Sequence, residues 1–552
     1  MKKKVLIIGG VAAGTKTAAK AVREYPDVEV KVITEEEYVS YAGCGLPYYI
    51  GNVIKEKGHL TVMNPEKFKE RDVEILIKHK AERIIPSEKR VIVKDLTTGE
   101  TKDFFYDKLV IATGAKPIVP PIPGVELKNV FKLRTINDAV SIREEVEKNG
   151  IKKAAVVGGG FIGLEVAENL AQWGVKVTLV ELLDQILPNF DREIALLAQS
   201  YLEKKGITIY TGEKAVAIEG VDGKAAALVT DKRKIDAELV ILSIGVMPNT
   251  KIAKEAGIEL GVKGAIRVNE YMETNIPDIY AVGDCAENIN LITNQPAWYP
   301  MGSTANKMGR VAALNLFPKG EKDALKGVLG TTVVKLFELN AARTGLSERD
   351  AKALGYDYIT VLVPANDRAH YYPGHKTILT KLIVDKKTHR VLGGQVIGEG
   401  VVDKPIDILA TLITLKGTVE DLAKIDLAYA PPFSMALSST IVAANVAINK
   451  LTSRVEGISP LALKEKLGSP DLQIIDVRTE AEFLTGAIPG AKNIPLNEIR
   501  KRANEINKDK ETVLICRVGL RAYLAYRTLK HLGFENIKIL DGGVTAWPFE
   551  LE

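Results

Sequence analysis

The sequence contains few cysteines: three among 552 residues, at Cys44, Cys285 and Cys516. The count is odd and no two cysteines are close in sequence. The chain therefore lacks the paired pattern of a disulfide-stabilised secreted protein and the nearby cysteine pair of a common disulfide oxidoreductase. We expect a reducing, cytoplasmic environment in which each thiol is free. A free thiol reacts as its thiolate, so a catalytic cysteine needs surroundings that favour ionisation and leave it accessible.

An excess of charge of either sign and long apolar runs are also lacking. The 75 basic and 70 acidic residues give a net charge of +5, and no concentrated basic segment indicates a nucleic-acid partner. No apolar stretch approaches the roughly 20 residues of a membrane-spanning helix, so we expect a soluble protein without a membrane partner. The sequence indicates no metal site. Its length predicts about three or four domains.

The strongest positive signal is a glycine-rich turn in the middle of the chain. A buried-strand pattern at residues 154–157 leads into Gly158, Gly160 and Gly163, and then into a helical segment. The next strand ends at Glu181, 23 residues after Gly158, which is the spacing of one β-α-β nucleotide-binding unit. A pyrophosphate would lie on the helix N-terminus, and Glu181 would accept from a ribose 2′-hydroxyl but repel a 2′-phosphate. This unit therefore predicts NADH rather than NADPH.

A weaker copy of the same motif lies near the N-terminus. An apolar strand leads into Gly9 and Gly14, but Val11 replaces the glycine that would let a pyrophosphate approach closely. After the following strand, Glu35 is our candidate for binding the ribose hydroxyls, because Thr34 stands where the acidic residue is expected.

Two nucleotide units about 150 residues apart suggest that one chain holds both a flavin and a nicotinamide dinucleotide. One apolar strand ends in a small turn at Thr113 and Gly114. Another ends at Gly283 and Asp284, and the Asp284 carboxylate could bond the ribityl chain of a flavin. Over about residues 1–445, these motifs resemble the pyridine nucleotide-disulfide oxidoreductase family.

This resemblance implies an α/β protein with two Rossmann-like domains that bind FAD and NAD(P)H. It also implies an α+β dimerisation domain, and hence a homodimer. Cys285 would be a structural thiol beside the flavin. The predicted domains are residues 1–115 with 250–325 for FAD, 116–249 for NAD, 326–446 for dimerisation, a linker at 447–456, and a C-terminal α/β domain at 457–552.

The lone cysteine Cys44 lies in the motif S-x-x-x-C-G-L-P, which begins at Ser40. Taken alone, a single cysteine is more often a small buried apolar residue than a catalytic one. Within the family, however, this motif resembles the single-cysteine branch, which contains coenzyme A-disulfide reductases, coenzyme A persulfide reductases, NADH oxidases and peroxidases. The resemblance implies that Cys44 faces the flavin and cycles through a mixed disulfide or persulfide. Peroxide chemistry in this branch uses a histidine near the N-terminal glycine turn, and this chain has none before His59.

Basic residues near the first turn are candidates for binding coenzyme A. Lys20 and Arg23 share one face of the first predicted helix, a pattern that by itself indicates a solvated surface. In the coenzyme A branch, basic residues at matching positions hold the phosphates of the ligand. On this resemblance we assign Lys20, Arg23 and Ser40, and more weakly Arg71, to substrate binding.

Two aromatic segments in the predicted dimerisation domain are candidates for completing the active site. The resemblance implies that tyrosines in such segments reach the partner subunit's Cys44. Tyr429 matches this pattern. Between Tyr371 and Tyr372 the sequence does not decide, and Tyr372 is favoured. The alternative interpretation is that these aromatic side chains only pack at the dimer interface.

The C-terminal hundred residues carry a second reactive thiol. A buried strand at residues 512–515 delivers Cys516 to the start of a helix, where N–H groups and the helix dipole favour a thiolate. Arg517 and Arg521 add positive charge. Residues 457–549 resemble a rhodanese, a sulfurtransferase whose active-site loop carries a cysteine persulfide.

Together the motifs and the two family resemblances imply an FAD- and NADH-dependent reductase of coenzyme A persulfide, polysulfide or coenzyme A disulfide, with a fused rhodanese sulfurtransferase domain. Two alternatives stay open. One is an NADH oxidase or coenzyme A-disulfide reductase in which the rhodanese only senses sulfur. The other is a sulfur-carrier module that passes persulfide to a partner protein.

Overall fold

The computed structural model describes residues 2–552, and these fold into two compact units. The first unit contains the described residues up to 184 together with residues 206–328, and the second contains residues 185–205 and 329–552. No helix within residues 2–552 combines the length and apolar character needed to cross a bilayer.

The first unit is built on two parallel sheets of five strands each. Apolar side chains fill both faces of these strands, as expected for parallel strands that are covered on both sides. From one edge to the other, the first sheet has strands Ile279–Ala281, Lys108–Ile111, Lys3–Ile8, Val28–Ile33 and Val73–Leu76. The second sheet has strands Thr208–Thr211, Lys176–Glu181, Lys153–Val157, Leu239–Leu242 and Val130–Lys132.

Helices begin directly after the central strand of each parallel sheet. Ala12–Glu24 follows the first central strand and packs against Gly302–Asn315. This close packing requires glycine at position 309, since a Cβ there would lie 2.6 Å from the Ala13 carbonyl oxygen. Phe161–Gln172 follows the second central strand. The other α-helices of this unit are Leu46–Ile50, Pro65–Lys69, Ile136–Asn149 and Lys251–Glu255.

Short antiparallel strands extend the first unit beyond its two parallel sheets. One three-stranded sheet contains His79–Ile85, Arg90–Asp95 and Thr101–Phe105, and another contains Ala215–Val221, Lys224–Thr230 and Lys234–Asp236. Two-stranded pairs are formed by Ala115–Pro117 with Val246–Pro248 and by Asn288–Ile289 with Pro296–Ala297.

The second unit contains one antiparallel and one parallel sheet. The antiparallel sheet has strands Thr332–Leu336, Leu339–Gly345, Val391–Gly398, Thr377–Asp385 and Tyr358–Asn366. The helices grouped with this sheet are Arg192–Lys204, Glu348–Ala353, Asp403–Thr414, Val419–Lys424 and Ser439–Leu451. The last of these extends into residues 447–456, the segment predicted as a linker.

The parallel sheet of the second unit is formed by the C-terminal residues. Its strands are Gly457–Ile458, Ile537–Leu540, Glu511–Ile515, Leu472–Asp476 and Ala491–Asn493. The α-helices in this region are Pro460–Lys466, Glu480–Phe483 and Leu520–His531. The central strand Glu511–Ile515 is flanked by neighbours on both sides, so its C-terminal end is fixed within the sheet.

A buried cluster of charges ties the segment 185–205 to the antiparallel sheet. Lys381 is 1% exposed, and its Nζ lies 2.9 Å from Asp191 Oδ2, 2.5 Å from Glu193 Oε1 and 2.7 Å from Glu348 Oε2. Burial alone lowers the pKa of Lys381, but the surrounding carboxylates outweigh this and raise it. One buried cation therefore compensates three acidic groups.

We predict that replacing Lys381 by methionine destabilises the second unit strongly. Removing one partner of a buried ion pair leaves uncompensated charge and typically costs about 3–5 kcal/mol. Unfolding by denaturant, followed at the transition of the second unit, measures the loss. The loss should be smaller at pH 5 than at pH 8, because burial already raises the pKa of Glu193 and protonation removes its charge.

The matched control for this prediction is Lys386→Met. Lys386 pairs with Asp357, but both side chains are largely exposed, and such pairs contribute about 0–1 kcal/mol. Equal losses of stability in the two variants would contradict the assignment of Lys381 as the compensating charge.

Candidate active sites

Cys44 lies in a short 3-10 helix, Gly43–Gly45, and its side chain is exposed. The Gly45 amide donates to the Ala42 carbonyl oxygen at 2.9 Å, which closes the turn. A Cβ at position 45 would lie 2.7 Å from a Leu60 methyl group, whereas a Cβ at position 43 would meet nothing within 4 Å. The chain is therefore packed on one side of Cys44 and open on the other.

The surroundings of Cys44 disfavour its thiolate form. Burial, and then the charges of Glu165 and Asp284, raise the pKa of the Cys44 thiol. The Tyr48 hydroxyl donates a hydrogen bond to Glu165 Oε1 at 3.2 Å. Burial raises the pKa of Glu165 to about 7, although the Tyr48 hydrogen bond lowers it. Glu165 therefore changes charge near neutral pH within the electrostatic range of the thiol. Sequence reasoning missed both Tyr48 and Glu165.

The first glycine turn is shaped mainly by packing within the protein. A Cβ at Gly9 would lie 2.0 Å from the Ala112 carbonyl oxygen, and a Cβ at Gly14 would lie 1.9 Å from the Gly9 carbonyl oxygen. Val11 precedes the helix Ala12–Glu24, and no side chain caps this helix N-terminus. The uncapped N–H groups fit a phosphate-bearing ligand.

The acidic residues after the second strand occupy different environments. The first glycine of each turn donates to a residue at the end of the next strand in the same way: Gly9 N to the Ile33 carbonyl oxygen, and Gly158 N to the Val180 carbonyl oxygen. The residues that follow these two acceptors, Thr34 and Glu181, therefore occupy equivalent positions. Glu35, the predicted ribose ligand, is exposed and lies 3.8 Å from Lys80.

An unpredicted polar cluster lies beside this segment. The Tyr41 hydroxyl donates to Glu36 Oε2 at 2.7 Å and accepts from Arg134 at 3.2 Å. Burial raises the pKa of Glu36, and the hydrogen bond from Tyr41 opposes this increase. A G-x-G pattern gives no signal for this cluster, because Arg134 is distant in sequence.

The turns at 113–114 and 283–284 fit the polar chain of a flavin dinucleotide. The Thr113 hydroxyl donates to the Asn249 carbonyl oxygen at 2.6 Å, and Gly114 has a φ of +67°. Burial raises the pKa of Asp284. Among the described residues, none forms a hydrogen bond or ion pair with its carboxylate. Gly283 has a φ of +76°, which suits glycine at that turn.

Cys285, the neighbour of Asp284, is fully buried. Its thiol donates to the Ile111 carbonyl oxygen at 3.4 Å. Burial raises the pKa of the Cys285 thiol, so this cysteine suits a structural position and is a poor nucleophile.

In the second glycine turn, two glycines lie against neighbouring backbone atoms and one faces open space. A Cβ at Gly158 would lie 2.4 Å from the Ser243 carbonyl oxygen, and a Cβ at Gly163 would lie 2.0 Å from the Gly158 carbonyl oxygen. At Gly160 a Cβ would meet nothing within 4 Å. Glu181 accepts from Gly159 N at 2.6 Å and from Leu183 N at 2.7 Å. Two backbone N–H groups therefore hold this carboxylate in place beside the turn, and Gly160 leaves room for a dinucleotide to approach.

The predicted substrate-binding residues do not form one cluster of mutual contacts. Lys20 pairs with Glu24 at 2.5 Å, and Arg23 Nε donates to the Ala19 carbonyl oxygen at 2.7 Å. Ser40 has a φ of +48°, and its amide donates to the Gly10 carbonyl oxygen. Arg71 is exposed.

In the second unit, the hydroxyl groups of Tyr371 and Tyr429 lie 3.5 Å apart, and both side chains are exposed. The hydrogen bond to Tyr429 raises the pKa of Tyr371. The structure places Tyr371, the neighbour of the favoured Tyr372, within 3.5 Å of the Tyr429 hydroxyl. Which of the two adjacent tyrosines reaches the partner's Cys44 stays a prediction.

Cys516 follows the central strand Glu511–Ile515, and its side chain is only 1% exposed. The Gly519 amide donates to Cys516 Sγ at 3.1 Å, from a backbone with a φ of +109° at Gly519. The helix Leu520–His531 begins directly afterwards. The Cys516 sulfur thus accepts a hydrogen bond from a backbone N–H group immediately before a helix, the position that the sequence pattern predicts for it.

Arg521 does not present an isolated positive charge to Cys516. Its guanidinium donates to both carboxylate oxygens of Glu482, at 2.6 and 2.7 Å. The hydrogen bonds from Arg521 lower the pKa of Glu482 to about 2. Glu482 also caps its helix with Thr479. The T-x-x-E capping pattern was the available sequence signal for Glu482.

Three family models match the chain. The model described as pyridine nucleotide-disulphide oxidoreductase matches residues 3–297, that of the corresponding dimerisation domain matches residues 331–441, and that of a rhodanese-like domain matches residues 459–549. These matches confirm the predicted fold class and both predicted resemblances.

The chain is also similar to individual proteins. It is 40% identical over 448 residues to the NAD(P)H coenzyme A polysulfide/persulfide reductase of Pyrococcus horikoshii, which covers 81% of this chain and 98% of that protein. The crystal structure of reduced Bacillus anthracis CoADR-RHD has a TM-score of 0.94 at 37% identity, covering 99% of this chain and 98% of that one. The NAD-dependent persulfide reductase from A. fulgidus has a TM-score of 0.93 at 41% identity, covering 99% and 100%.

We predict that Glu165→Gln lowers the pH at which Cys44 becomes reactive. Glu165 raises the pKa of Cys44, so removing its negative charge makes thiolate formation easier. The rate of alkylation of Cys44 by iodoacetamide, followed by peptide mass spectrometry across a pH series, gives the midpoint.

The control for this prediction is Glu145→Gln. Glu145 lies on a different helix and accepts from Asn149, so its removal should leave the midpoint unchanged. An unchanged midpoint in Glu165→Gln would show that this carboxylate does not control Cys44.

Proposed function

The chain belongs to the pyridine nucleotide-disulphide oxidoreductase family, and we propose that it is an FAD- and NADH-dependent reductase of coenzyme A persulfides and disulfides. The single exposed thiol of Cys44 in the first unit carries this proposal. The Pyrococcus horikoshii relative, named a coenzyme A polysulfide/persulfide reductase, supports the substrate class. The C-terminal domain, which matches the rhodanese-like model, is proposed to be a sulfurtransferase that acts through Cys516.

The two nucleotide turns support the choice of cofactors. Asp284 and the turn at Gly9 and Gly14 suit FAD, with Glu35 toward its ribose, and Gly160 leaves room for the pyrophosphate of NADH. Glu181 disfavours NADPH because a fixed carboxylate repels a 2′-phosphate. When bound, the flavin would supply the route by which two electrons pass from NADH to an oxidised sulfur on Cys44.

The chemistry of Cys44 follows from its exposure. Attack of the Cys44 thiolate on the carrier-bound sulfur of R–S–SH breaks the S–S bond, forms the mixed disulfide R–S–S–Cys44 and expels hydrosulfide. Two electrons and a proton then release R–SH and restore the thiolate. With a disulfide R–S–S–R, the expelled group is a thiolate instead. Lys20 and Arg23 would hold the phosphates of R, and Lys20 would exchange its contact with Glu24 for this purpose.

Cys516 would act on sulfur donors. Its thiolate takes the outer sulfur of a donor such as thiosulfate, which leaves sulfite and a Cys516 persulfide. A thiolate acceptor, either a small thiol such as coenzyme A or Cys44 itself, then takes this sulfur and regenerates Cys516. All three cysteines are free, which fits a reducing compartment. We therefore propose that the protein is cytoplasmic.

The main test replaces Cys44 by serine in the flavin-loaded protein. NADH consumption is compared with coenzyme A persulfide, coenzyme A disulfide, oxygen and peroxide as acceptors. The wild type should turn over the two sulfur substrates fastest, and Cys44→Ser should lose both activities, because a hydroxyl cannot form the mixed disulfide. Flavin absorbance should be retained. Near-native persulfide turnover in this variant, or a wild type that prefers oxygen, would reject the proposal and favour an NADH oxidase.

A second prediction separates the two thiols. Cys516→Ser should spare the NADH-dependent reduction of preformed persulfides but abolish sulfide release driven by thiosulfate. Both activities are measured on the same preparations, with Cys285→Ser as the matched control. Loss of both in Cys516→Ser would place Cys516 in the reductase step, and loss of neither would favour the sulfur-sensing alternative.

A third prediction concerns the homodimer that the matched dimerisation domain supports. Tyr429, together with Tyr371, would reach the partner subunit's Cys44 and donate a proton to the leaving sulfur. General acid catalysis typically contributes about 10²–10⁴-fold, so Tyr429→Phe and Tyr371→Phe should lower kcat more than they raise KM. Tyr372→Phe is the control and should have the smaller effect, since within residues 2–552 the hydroxyl that pairs with Tyr429 is that of Tyr371. The reverse order would restore Tyr372 as the functional residue.

A further inference from the structure

The backbone of the Cys516 loop is held from one side by residues 541–545. Val544 N donates to the Cys516 carbonyl oxygen at 3.0 Å. Thr545 donates to the Arg517 carbonyl oxygen through its amide at 3.1 Å and its hydroxyl at 2.8 Å. Gly543 packs so closely that a Cβ there would lie 2.2 Å from the Cys516 carbonyl oxygen. The location of the Cys516 main chain therefore depends on where this segment is held.

The segment is anchored at its first residue by an ion pair. Lys450 Nζ lies 2.6 Å from Asp541 Oδ2 and donates to the Thr360 carbonyl oxygen at 2.8 Å. Both charged side chains are only 11% exposed. Burial raises the pKa of Asp541, and Lys450 opposes this increase. Gly457 provides the space, since a Cβ there would lie 2.5 Å from both Asp541 Oδ1 and Lys450 Nζ.

The two residues that follow Asp541 are glycines, which have no side chains that could hold the segment in place. Gly542 and Gly543 have positive φ angles of +75° and +59°. Lys450 belongs to the helix Ser439–Leu451, outside the residues 459–549 that match the rhodanese-like model. The anchor of the sulfur-transfer loop is thus supplied by a helix that precedes the domain.

We propose that Lys450 and Asp541 are positioning residues for sulfur transfer at Cys516. This inference rests on the proposed role of Cys516 as the nucleophile. The ion pair fixes Asp541, the segment 541–545 fixes the Cys516 main chain, and Cys516 Sγ then meets the Gly519 amide at 3.1 Å. In the loading step the Cys516 thiolate attacks the outer sulfur of thiosulfate, an S–S bond to Cys516 forms and the donor bond breaks to release sulfite. In the second step the acceptor attacks the outer sulfur of the Cys516 persulfide and releases the thiolate, so both steps depend on the direction of Sγ.

The test uses the full-length, flavin-loaded protein with Lys450→Met, Lys450→Arg and Asp541→Asn. The first readout is the alkylation rate of Cys516 by iodoacetamide at pH 7.5, quantified by peptide mass spectrometry. The second is kcat and KM for sulfur transfer from thiosulfate to cyanide. The control Lys466→Met removes a more exposed pair in the same domain, while Glu511 keeps its contact with Lys538.

Misplacement of a reacting group by about 1 Å can cost roughly 10²-fold in rate, so we expect Lys450→Met and Asp541→Asn to lower kcat by about tenfold or more. Alkylation of Cys516 should change in parallel between these two variants, and the double variant Lys450→Met/Asp541→Asn should be no worse than either. Lys450→Arg should recover part of the rate, and NADH-dependent reduction at Cys44 should be unchanged.

Other outcomes overturn the inference. If the folded Lys450→Met and Asp541→Asn variants keep wild-type kcat and alkylation rates and differ only in thermal stability, the pair is structural. If Lys466→Met shows the same loss, the effect is not specific to the anchor. A wild type without any thiosulfate activity would reject the proposed sulfurtransferase function, and the alkylation comparison would still decide whether the ion pair positions Cys516.

Discussion

The ionisation of the Cys44 thiol is the constraint on which the proposed reductase site depends. The residue lies at the surface, but its thiol is partly covered by neighbouring groups. This partial burial, and then the charges of Glu165 and Asp284, raise the pKa of the thiol and disfavour the thiolate. Because the pKa of Glu165 is about 7, uptake of a proton by Glu165 near neutral pH removes a charge that opposes the nucleophile. Proton uptake at one group is thereby linked to thiolate formation at the other.

The two proposed reactive thiols meet opposite environments. Cys516 is buried and accepts a hydrogen bond from Gly519 N, whereas Cys44 lies at the surface within the electrostatic range of two carboxylates, Glu165 and Asp284. Arg521, which adds positive charge near Cys516 in the sequence, is held by Glu482 in the structure. A backbone N–H group therefore contacts the Cys516 sulfur, whereas burial and two carboxylates raise the pKa of the Cys44 thiol.

Glycines that share one sequence motif serve two physical purposes. Gly158 and Gly163 allow close contact between backbone segments, while Gly160 leaves open space on the ligand side of the turn. In the first turn, Gly9 and Gly14 have the same close backbone contacts, and Val11 stands at the position equivalent to Gly160. The departure from the motif thus falls at the position where the ligand, and not the fold, requires glycine.

The sequence alone determined the features that lie within a single β-α-β unit. The glycine turns, Glu181 and the placement of Cys516 between a strand and a helix are local, because strand, turn and helix follow one another in the chain. The repeated units indicated two nucleotide-binding domains, and the family resemblances implied the rest of the fold class.

Tertiary structure alone decided the contacts between distant segments. Tyr48 and Glu165 are 117 residues apart and meet only because two helices pack together. Tyr371 and Tyr429 are 58 residues apart, and their hydroxyl groups come within 3.5 Å of each other only in the folded chain. Lys381 is buried within a strand because three acidic groups from elsewhere in the chain converge on it. Such pairings have no local pattern, and their energy exists only once the chain has folded.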